Sequence, residues 1–504
     1  MNPDVKINTM AHRCHRVYRD RRVIAVTTYC GTLLPMRRTL LLLFVTLFIT
    51  ASASANPKPE ETWPGFRGHG MTGVAPGGST PERWSTTENV QWKAAVPGQG
   101  WSSPIVWGDT VFLTSGISSK PFKQPTPGLY GNEYIAELQG KGLSDEEVLR
   151  RVRERDNESP EESDEIKYMV YALDAATGKI KWEREAYRGR PSGGRHRKNT
   201  YASETPFTDG ERLYVSFGQN VGLFCYTLDG KLLWKRHWPP QPIYLDFGTA
   251  SSPIVHDGRV YLLHDSEADS YITALDATTG EEVWRTARPR TGLPRSSWTT
   301  PYVWTNEKRT EIVTLGHAMV ISYGLDGKEL WRVTGMSMPT ASPFAANGWL
   351  YVGSGSQGDA NRPFLAIKPG ASGDVSLTDG ATSNDFIAWR HPRASGYTPS
   401  AIVTDGRAYL VHDTGILAVL DARTGKEIYK VRVGGGGHTF SASPVASGNR
   451  LYLLTEGGIT FVLEGGDSYK EIAKNDLQEM SLASPAIAGG AIYIRTESKL
   501  YKVR

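Results

Sequence analysis

The stretch "YALDAATGKIKW", Tyr171 to Trp182, returns as "ITALDATTGEEVW", Ile272 to Trp284. A chain that writes A-x-D-x-x-T-G-x-x-x-W twice is either duplicating a reaction centre or repeating a unit of architecture. The architectural reading requires further, decayed copies at regular spacing, and they are present. "YTLDGKLLW" ends at Trp234, "YGLDGKELW" at Trp331 and "VLDARTGKEIY" at Tyr429, while the bare strands "NVQW" and "FIAW" end at Trp92 and Trp389.

A second marker, a small hydroxyl residue before proline, recurs independently. It stands at Ser103-Pro104, Thr205-Pro206, Ser252-Pro253, Thr300-Pro301, Ser342-Pro343, Thr398-Pro399, Ser443-Pro444 and Ser484-Pro485. A turn signal such as Asp257-Gly258 or Asn347-Gly348 follows, then a run such as "RVYLLHD" or "RLYLLTE". Each unit therefore reads as strand, hairpin, strand, strand, tight turn, Trp-bearing strand. From Pro206 onward the prolines are 47, 48, 42, 56, 45 and 41 residues apart. A period of roughly 40 to 50 residues with four strands per unit is that of a β-propeller. The 53 Gly, 30 Pro, 14 Trp and 23 Tyr suit such a chain, since they favour turns and pleated strands.

The expected fold is all-β, an eight-bladed β-propeller over residues 88–504, with one helical insertion in blade 1 at 117–167. The last unit ends 19 residues after Pro485, too soon for its Trp strand. "ENVQWKAAV", Glu88 to Val96, is the expected replacement: as the outer strand of the last blade it closes the ring and hides sheet edges. Within the motif, Gly178 and Gly280 supply the positive φ of a tight turn, and Asp174 and Asp276 hydrogen-bond its backbone. Trp182 and Trp284, with Trp92, Trp234, Trp331 and Trp389, are expected to pack one blade against the next.

Ahead of the ring, "MRRTLLLLFVTLFITASASAN" has a basic start, an apolar run from Leu40 to Ile49 and the small-residue exit Ala53-Ser54-Ala55. It reads as a secretory signal peptide with its true start at Met36 and cleavage after Ala55, followed by an N-terminal extension at 56–87. The apolar run is too short to span a bilayer, where about 20 residues are needed. The first 55 residues hold 8 of the 57 Lys and Arg and 2 of the 53 Asp and Glu, so the mature chain carries a net charge of −2. Nothing global then points to nucleic acid. Cys14 and Cys30 also fall in the leader, leaving Cys225 without a partner. No cysteine stands at the cleavage site to carry a lipid anchor. A periplasmic or secreted monomer is expected, without a transmembrane segment in the mature chain.

The A-x-D-x-x-T-G-x-x-x-W pattern resembles the tryptophan-docking repeat of the pyrroloquinoline-quinone (PQQ) propeller superfamily, which contains quinoprotein dehydrogenases and BamB-type outer-membrane assembly scaffolds. With "WPGFRG" at Trp63 to Gly68 behind a signal peptide, the whole arrangement is similar to the exported PQQ-like propeller proteins. In that superfamily the docking repeats are structural and do not themselves imply a bound quinone. The dehydrogenase branch implies a disulfide between adjacent cysteines, calcium ligands and a catalytic aspartate. A lone Cys225 excludes that disulfide in the mature chain, and no residue matches the other groups by motif. The sequence favours a binding or scaffolding module of the cell envelope, its partner an envelope protein or a small-molecule or saccharide ligand. The alternatives are a PQQ- and calcium-dependent alcohol or sugar dehydrogenase and a carbohydrate-binding or carbohydrate-processing propeller.

Strand register nominates His196, Asp246, Arg295 and His438 for the rim of a central funnel. "RGRPSGGRHRK" sets Arg188, Arg190, Arg195, Arg197 and Lys198 in the loop between blades 1 and 2. It reads as a solvated flexible loop in preference to an anion site. "GSGSQG", Gly353 to Gly358, satisfies G-x-G-x-x-G but leads into another strand, so it reads as a hairpin turn. The insertion carries a capping box, Ser144 and Glu147, before "VLRRVRERD", with Glu146–Arg150 and Glu147–Arg151 pairs. It reads as a solvated helical arm in preference to a lid. His264-Asp265 and His412-Asp413 hold equivalent places in their repeats, which shared ancestry explains better than a metal site.

Overall fold

The computed structural model describes residues 56–128, 132–292, 294–316, 318–356 and 359–504; the leader, with Met36 and the cleavage after Ala55, lies outside them. Among the described residues, eight antiparallel four-stranded units form the eight blades. Blade 3 shows the plan: Ile254–His256 innermost, then Arg259–Asp265, Ser270–Asp276 and Glu282–Ala287 outermost. Blade 8 is built as the sequence requires. Val90–Ala95 pairs with Lys499–Val503, Trp92 opposite Lys502, and supplies the outer strand that the C-terminus lacks.

The docking residue sits at a fixed irregularity. In all eight blades the third and outer strands slip register at the same place, for example between Ala172 and Leu173, Cys225 and Tyr226, and Ala274 and Leu275, with Trp182, Trp234 and Trp284 paired just before it. A bulge twists its strand and re-aims the neighbouring side chain, here toward the next blade. Trp92 donates its indole N–H to Ala175 O (3.1 Å), Trp182 to Leu228 O (3.0 Å), Trp234 to Ala277 O (3.1 Å), Trp284 to Leu325 O (2.9 Å) and Trp389 to Ala422 O (3.1 Å). Each ring then lies on the turn glycine of that neighbour. A Cβ on Gly280 would stand 2.5 Å from Trp234, and one on Gly178 2.6 Å from Trp92. Those glycines thus serve two needs, a φ of +73° and a bare face for the indole. Asp174 Oδ1 accepts from the Thr177 amide (2.8 Å) and hydroxyl (2.8 Å), and Asp276 Oδ1 from the Thr279 amide (2.8 Å), which fixes the turn.

Trp331 departs from the pattern. Blade 5 lacks the turn it would dock on, and its indole bonds Glu311 in its own blade (2.7 Å). Gly373–Asp374 closes that seam as a fifth, parallel strand beside Trp331.

The hydroxyl–proline marker has its own role at the axis. The amide of Ser103 donates to Thr205 Oγ1 (3.0 Å), that of Thr205 to Ser252 Oγ (2.9 Å), and so on through Thr300, Ser342, Ser400, Ser443 and Ser484. Seven bonds thereby tie the eight inner strands into a girdle. The proline that follows has no N–H to satisfy. In blade 6 the position belongs to Ser400-Ala401, two residues after the expected Thr398-Pro399, because its inner strand begins at Ile402.

Candidate functional site

The girdle surrounds a central chamber of about 460 Å³, lined by all eight of its hydroxyl residues, by Trp101, Phe247, Trp298 and Tyr397, and by Asp156, His196, Lys198, Asp413 and Glu456. Phe66, Ile135, Leu149 and Val152 complete the lining.

Phe66 belongs to a plug formed by the N-terminal extension. Thr62–Trp63 pairs with the inner strand of blade 1, Val74–Ala75 lies parallel to that of blade 7, Pro64 O accepts from Thr208 (2.8 Å) in blade 2 and Glu60 O from Gly489 (2.7 Å) in blade 8. Trp63 is fully buried against Gly68, whose φ of +71° and lost Cβ space admit no other residue without strain. Arg67 is buried as well. Its guanidinium donates to Ala401 O and Thr72 O and lies 4.8 Å above the Phe344 ring, and burial lowers its pKa to about 9.

Ile135, Leu149 and Val152 come from the blade 1 insertion, whose helices α1 (Asn132–Gly140) and α2 (Asp145–Asp156) pack through Leu138, Val148 and Val152. The insertion is therefore a lid, since its apolar side faces the chamber. Ser144 caps α2 through Glu147 N (3.3 Å), but the Glu147 carboxylate turns to Arg150 (2.6 Å) and Arg151 (2.7 Å), leaving the capping box half made. Arg150 also pairs with Glu154, where Glu146 was expected.

The basic loop is ordered, and its cations fasten the lid. Asn157–Glu158, at the end of α2, pairs with Arg195–His196. The buried Arg195 guanidinium bonds Glu158 (2.5 Å) between the rings of Phe122 and Tyr201. Arg197 faces Asp156 at 3.8 Å, which Arg155 also holds (2.6 Å). Lys198 reaches across to blade 7 and meets both oxygens of Glu456 at 2.8 Å. Glu456 further accepts from the lid amide of Gly128 (2.9 Å), Thr439 (2.8 Å) and Ser441 (2.6 Å), so this buried carboxylate is fully satisfied. Arg188 pairs with Glu185 (2.6 Å), and Arg190 donates to Pro160 O (3.1 Å).

Of the four rim residues, His196 lines the chamber, and burial lowers its pKa to about 4, so the ring is neutral at pH 7. Asp246 stands outside it, with Arg153 and Glu267 in a shallow groove. Arg295 is exposed, its amide held by Glu267 (2.9 Å), and His438 packs edge-on to Phe461 at 5.0 Å. The structure therefore does not bring these four together. The chamber's own groups were legible in part, because the hydroxyl of each Ser-Pro or Thr-Pro marker is a lining group. Asp413 and Glu456 carried only the signal of position in their repeats.

The family model described as outer membrane protein assembly factor BamB matches residues 166–331 and 316–504, about two thirds of the sequence. The chain belongs to this BamB-type PQQ propeller family. Among solved structures, the quinohemoprotein alcohol dehydrogenase of Comamonas testosteroni superposes with a TM-score of 0.52 at 12% identity, over 89% of this chain and 81% of that one. A europium-containing methanol dehydrogenase does so with a TM-score of 0.53 at 11% identity, over 88% and 98%. At such identities the likeness is one of fold. No curated protein matches the sequence.

The family raises the question of a quinone. PQQ is a flat quinone with three carboxylates, and its site must supply cations. Among the described lining residues the PQQ propeller presents Asp156, Asp413 and Glu456 against one lysine, Lys198, which Glu456 already holds. Asp156 and Glu456 are held in ion pairs, so the described wall offers an anionic ligand no unused cation, and the unpaired Asp413 would repel it. Among the described residues, no three His, Cys, Asp or Glu converge on a point that could hold a metal ion. The chamber does not fit this cofactor. Likewise among the described residues, no helix is long and apolar enough to cross a membrane.

Proposed function

We propose that this BamB-type propeller is an exported binding module of the cell envelope, and that it binds a small hydroxylated ligand, a saccharide or a relative of one, in its central chamber. The carrying observation is the chamber itself. At about 460 Å³ it falls within the ~300–1,000 Å³ range of small-molecule sites, and the girdle hydroxyls and aromatic faces are the groups that hold a polyhydroxylated body. Each girdle hydroxyl accepts an amide or lies beside one that does, so its own hydrogen is turned to other acceptors.

Melting curves of the purified protein with and without PQQ plus Ca²⁺, and with a panel of mono- and disaccharides, test this reading. A ligand at 100 times its Kd adds about 2.7 kcal/mol; the expected result is a shift with a saccharide and none with the quinone. A retained quinone chromophore after desalting would replace the reading with the dehydrogenase. The export claim is tested by N-terminal sequencing of the periplasmic or secreted protein, expected to begin at Asn56.

A scaffolding role is favoured by one further observation. Ile180, Leu232, Leu233 and Val283 are exposed large hydrophobic residues on the outer strands of blades 1, 2 and 3, and apolar groups gathered on one arc of a surface mark contact sites. In-cell crosslinking from Leu233 is expected to capture an envelope protein if this edge docks one.

A further inference from the structure

Three blades place a buried carboxylate at the same register, at the end of the second strand: "RVYLLHD" ends at Asp265, "RAYLVHD" at Asp413 and "RLYLLTE" at Glu456. Asp265 is matched by the buried Arg288 (2.9 Å). Glu456 is matched by Lys198 and by three further donors. Asp413 differs. It is 4% exposed, it lines the chamber, and neither of its carboxylate oxygens has a hydrogen-bond partner. The Arg362 guanidinium acts on it from beyond ion-pair distance, and the backbone amides of Asp413 and Tyr397 face it without well-formed bonds. Burial pushes its carboxyl above the ordinary range.

A carboxylate withdrawn from water without donors is costly, and native structures seldom keep one without a reason. Here the cost falls on a wall otherwise in balance: Asp156 is met by Arg155 and Arg197, and Glu456 by Lys198. Of these three carboxylates Asp413 alone has no ion pair among the described residues, only the more distant Arg362, and it faces the chamber. On the same wall the Thr340 and Tyr397 hydroxyls face each other, with Tyr397 close enough to feel the Asp413 charge. A group offering several donors and one positive charge satisfies this corner, and an ammonium has three donors on a compact charge.

We infer that Asp413 anchors the protonated amine of a hydroxylated ligand, the chemistry of an amino sugar or amino alcohol, with the girdle hydroxyls taking the ligand's oxygens. The inference rests on the saccharide reading proposed above and narrows it.

Glucosamine, N-acetylglucosamine and glucose separate the two. Calorimetric titration of the purified protein is expected to show glucosamine binding, with the two neutral sugars weaker by more than about tenfold. Asp413→Asn is expected to lose that preference, while Asp246→Asn, outside the chamber, keeps it. Without ligand, Asp413→Asn is expected to melt at or above the temperature of the parent protein, because it removes an uncompensated buried charge. Equal binding of all three sugars, or an Asp413→Asn protein that still prefers glucosamine, would overturn the amine anchor and leave the saccharide reading standing. Binding of none of them would overturn both. A lower melting temperature for Asp413→Asn would show the aspartate to be structural and overturn the inference by itself.

Discussion

Plug and lid both face the central chamber, but they are held by different forces. The plug is held by strand pairing, backbone hydrogen bonds and complete burial of Trp63 and Arg67. The lid has a small core of its own, and it is fastened to the ring by the two-residue pairing of Asn157–Glu158 with Arg195–His196, by the ion pairs Arg195–Glu158 and Arg197–Asp156, and by Gly128, which hydrogen-bonds Lys198 and Glu456 of the ring. Backbone pairing and apolar burial resist solvent as part of the global fold, whereas a set of side-chain latches can release while the rest stays folded. The contrast predicts that the lid opens locally at lower cost than the plug.

The comparison breaks first at Trp63. Trp63→Ala is expected to cost about 3–5 kcal/mol in global denaturant unfolding, and an unchanged midpoint would show that the plug is an accessory. Trp284→Ala, which removes one interblade dock, gives a scale for the ring and is expected to cost about 3 kcal/mol. Deleting residues 120–165 is expected to leave a folded propeller with a global loss below about 2 kcal/mol; failure to fold would place the lid in the core and erase the distinction.

Acid should act on the lid as well as on the ring, where burial depresses His264 to about 3 and His412 to about 4. Burial, foremost, depresses the His196 pKa to about 4, with the neighbouring cations adding to the effect and Asp156 opposing it. The unfolded imidazole titrates near 6.5, so its contribution is whole above that pH and is lost as pH falls toward 4, by up to about 3 kcal/mol. Proteolysis within 120–165 is expected to quicken between pH 6.5 and 4, and a His196→Gln protein is expected to show a smaller change over that window. Lys198→Met leaves the buried Glu456 with hydroxyl and amide donors but no cation, so hydrogen exchange in α1 and α2 should rise and the global midpoint should fall by up to about 3 kcal/mol; an unchanged midpoint would show that the remaining donors suffice.

The ring was legible because its adhesive is local. Asp, Thr, Gly and Trp lie within one eleven-residue pattern, and the bulge that aims Trp182 or Trp284 is implicit in the spacing of turn and ring. Local reading went astray where a neighbouring blade decided the outcome. Trp331 looks like a dock, yet the blade beside it offers no turn. Thr398-Pro399 looks like a girdle position, yet the start of the strand selects Ser400. The basic loop and the insertion each looked solvated because each was weighed alone, and their charges cancel only when they meet.

What the sequence by itself determined is the repeated unit, its number and the closure of blade 8 by Val90–Ala95, since period and pairing are written along the chain. The tertiary structure alone decided the chamber. Phe66, Leu149, Asp413 and Glu456 are separated by up to 390 residues and share a wall only because eight blades turn their inner ends to one axis. Whether a buried carboxylate is paired there, as Glu456 is, or left open, as Asp413 is, depends on which distant segment arrives beside it, and the spacing of residues within a repeat carries no record of that.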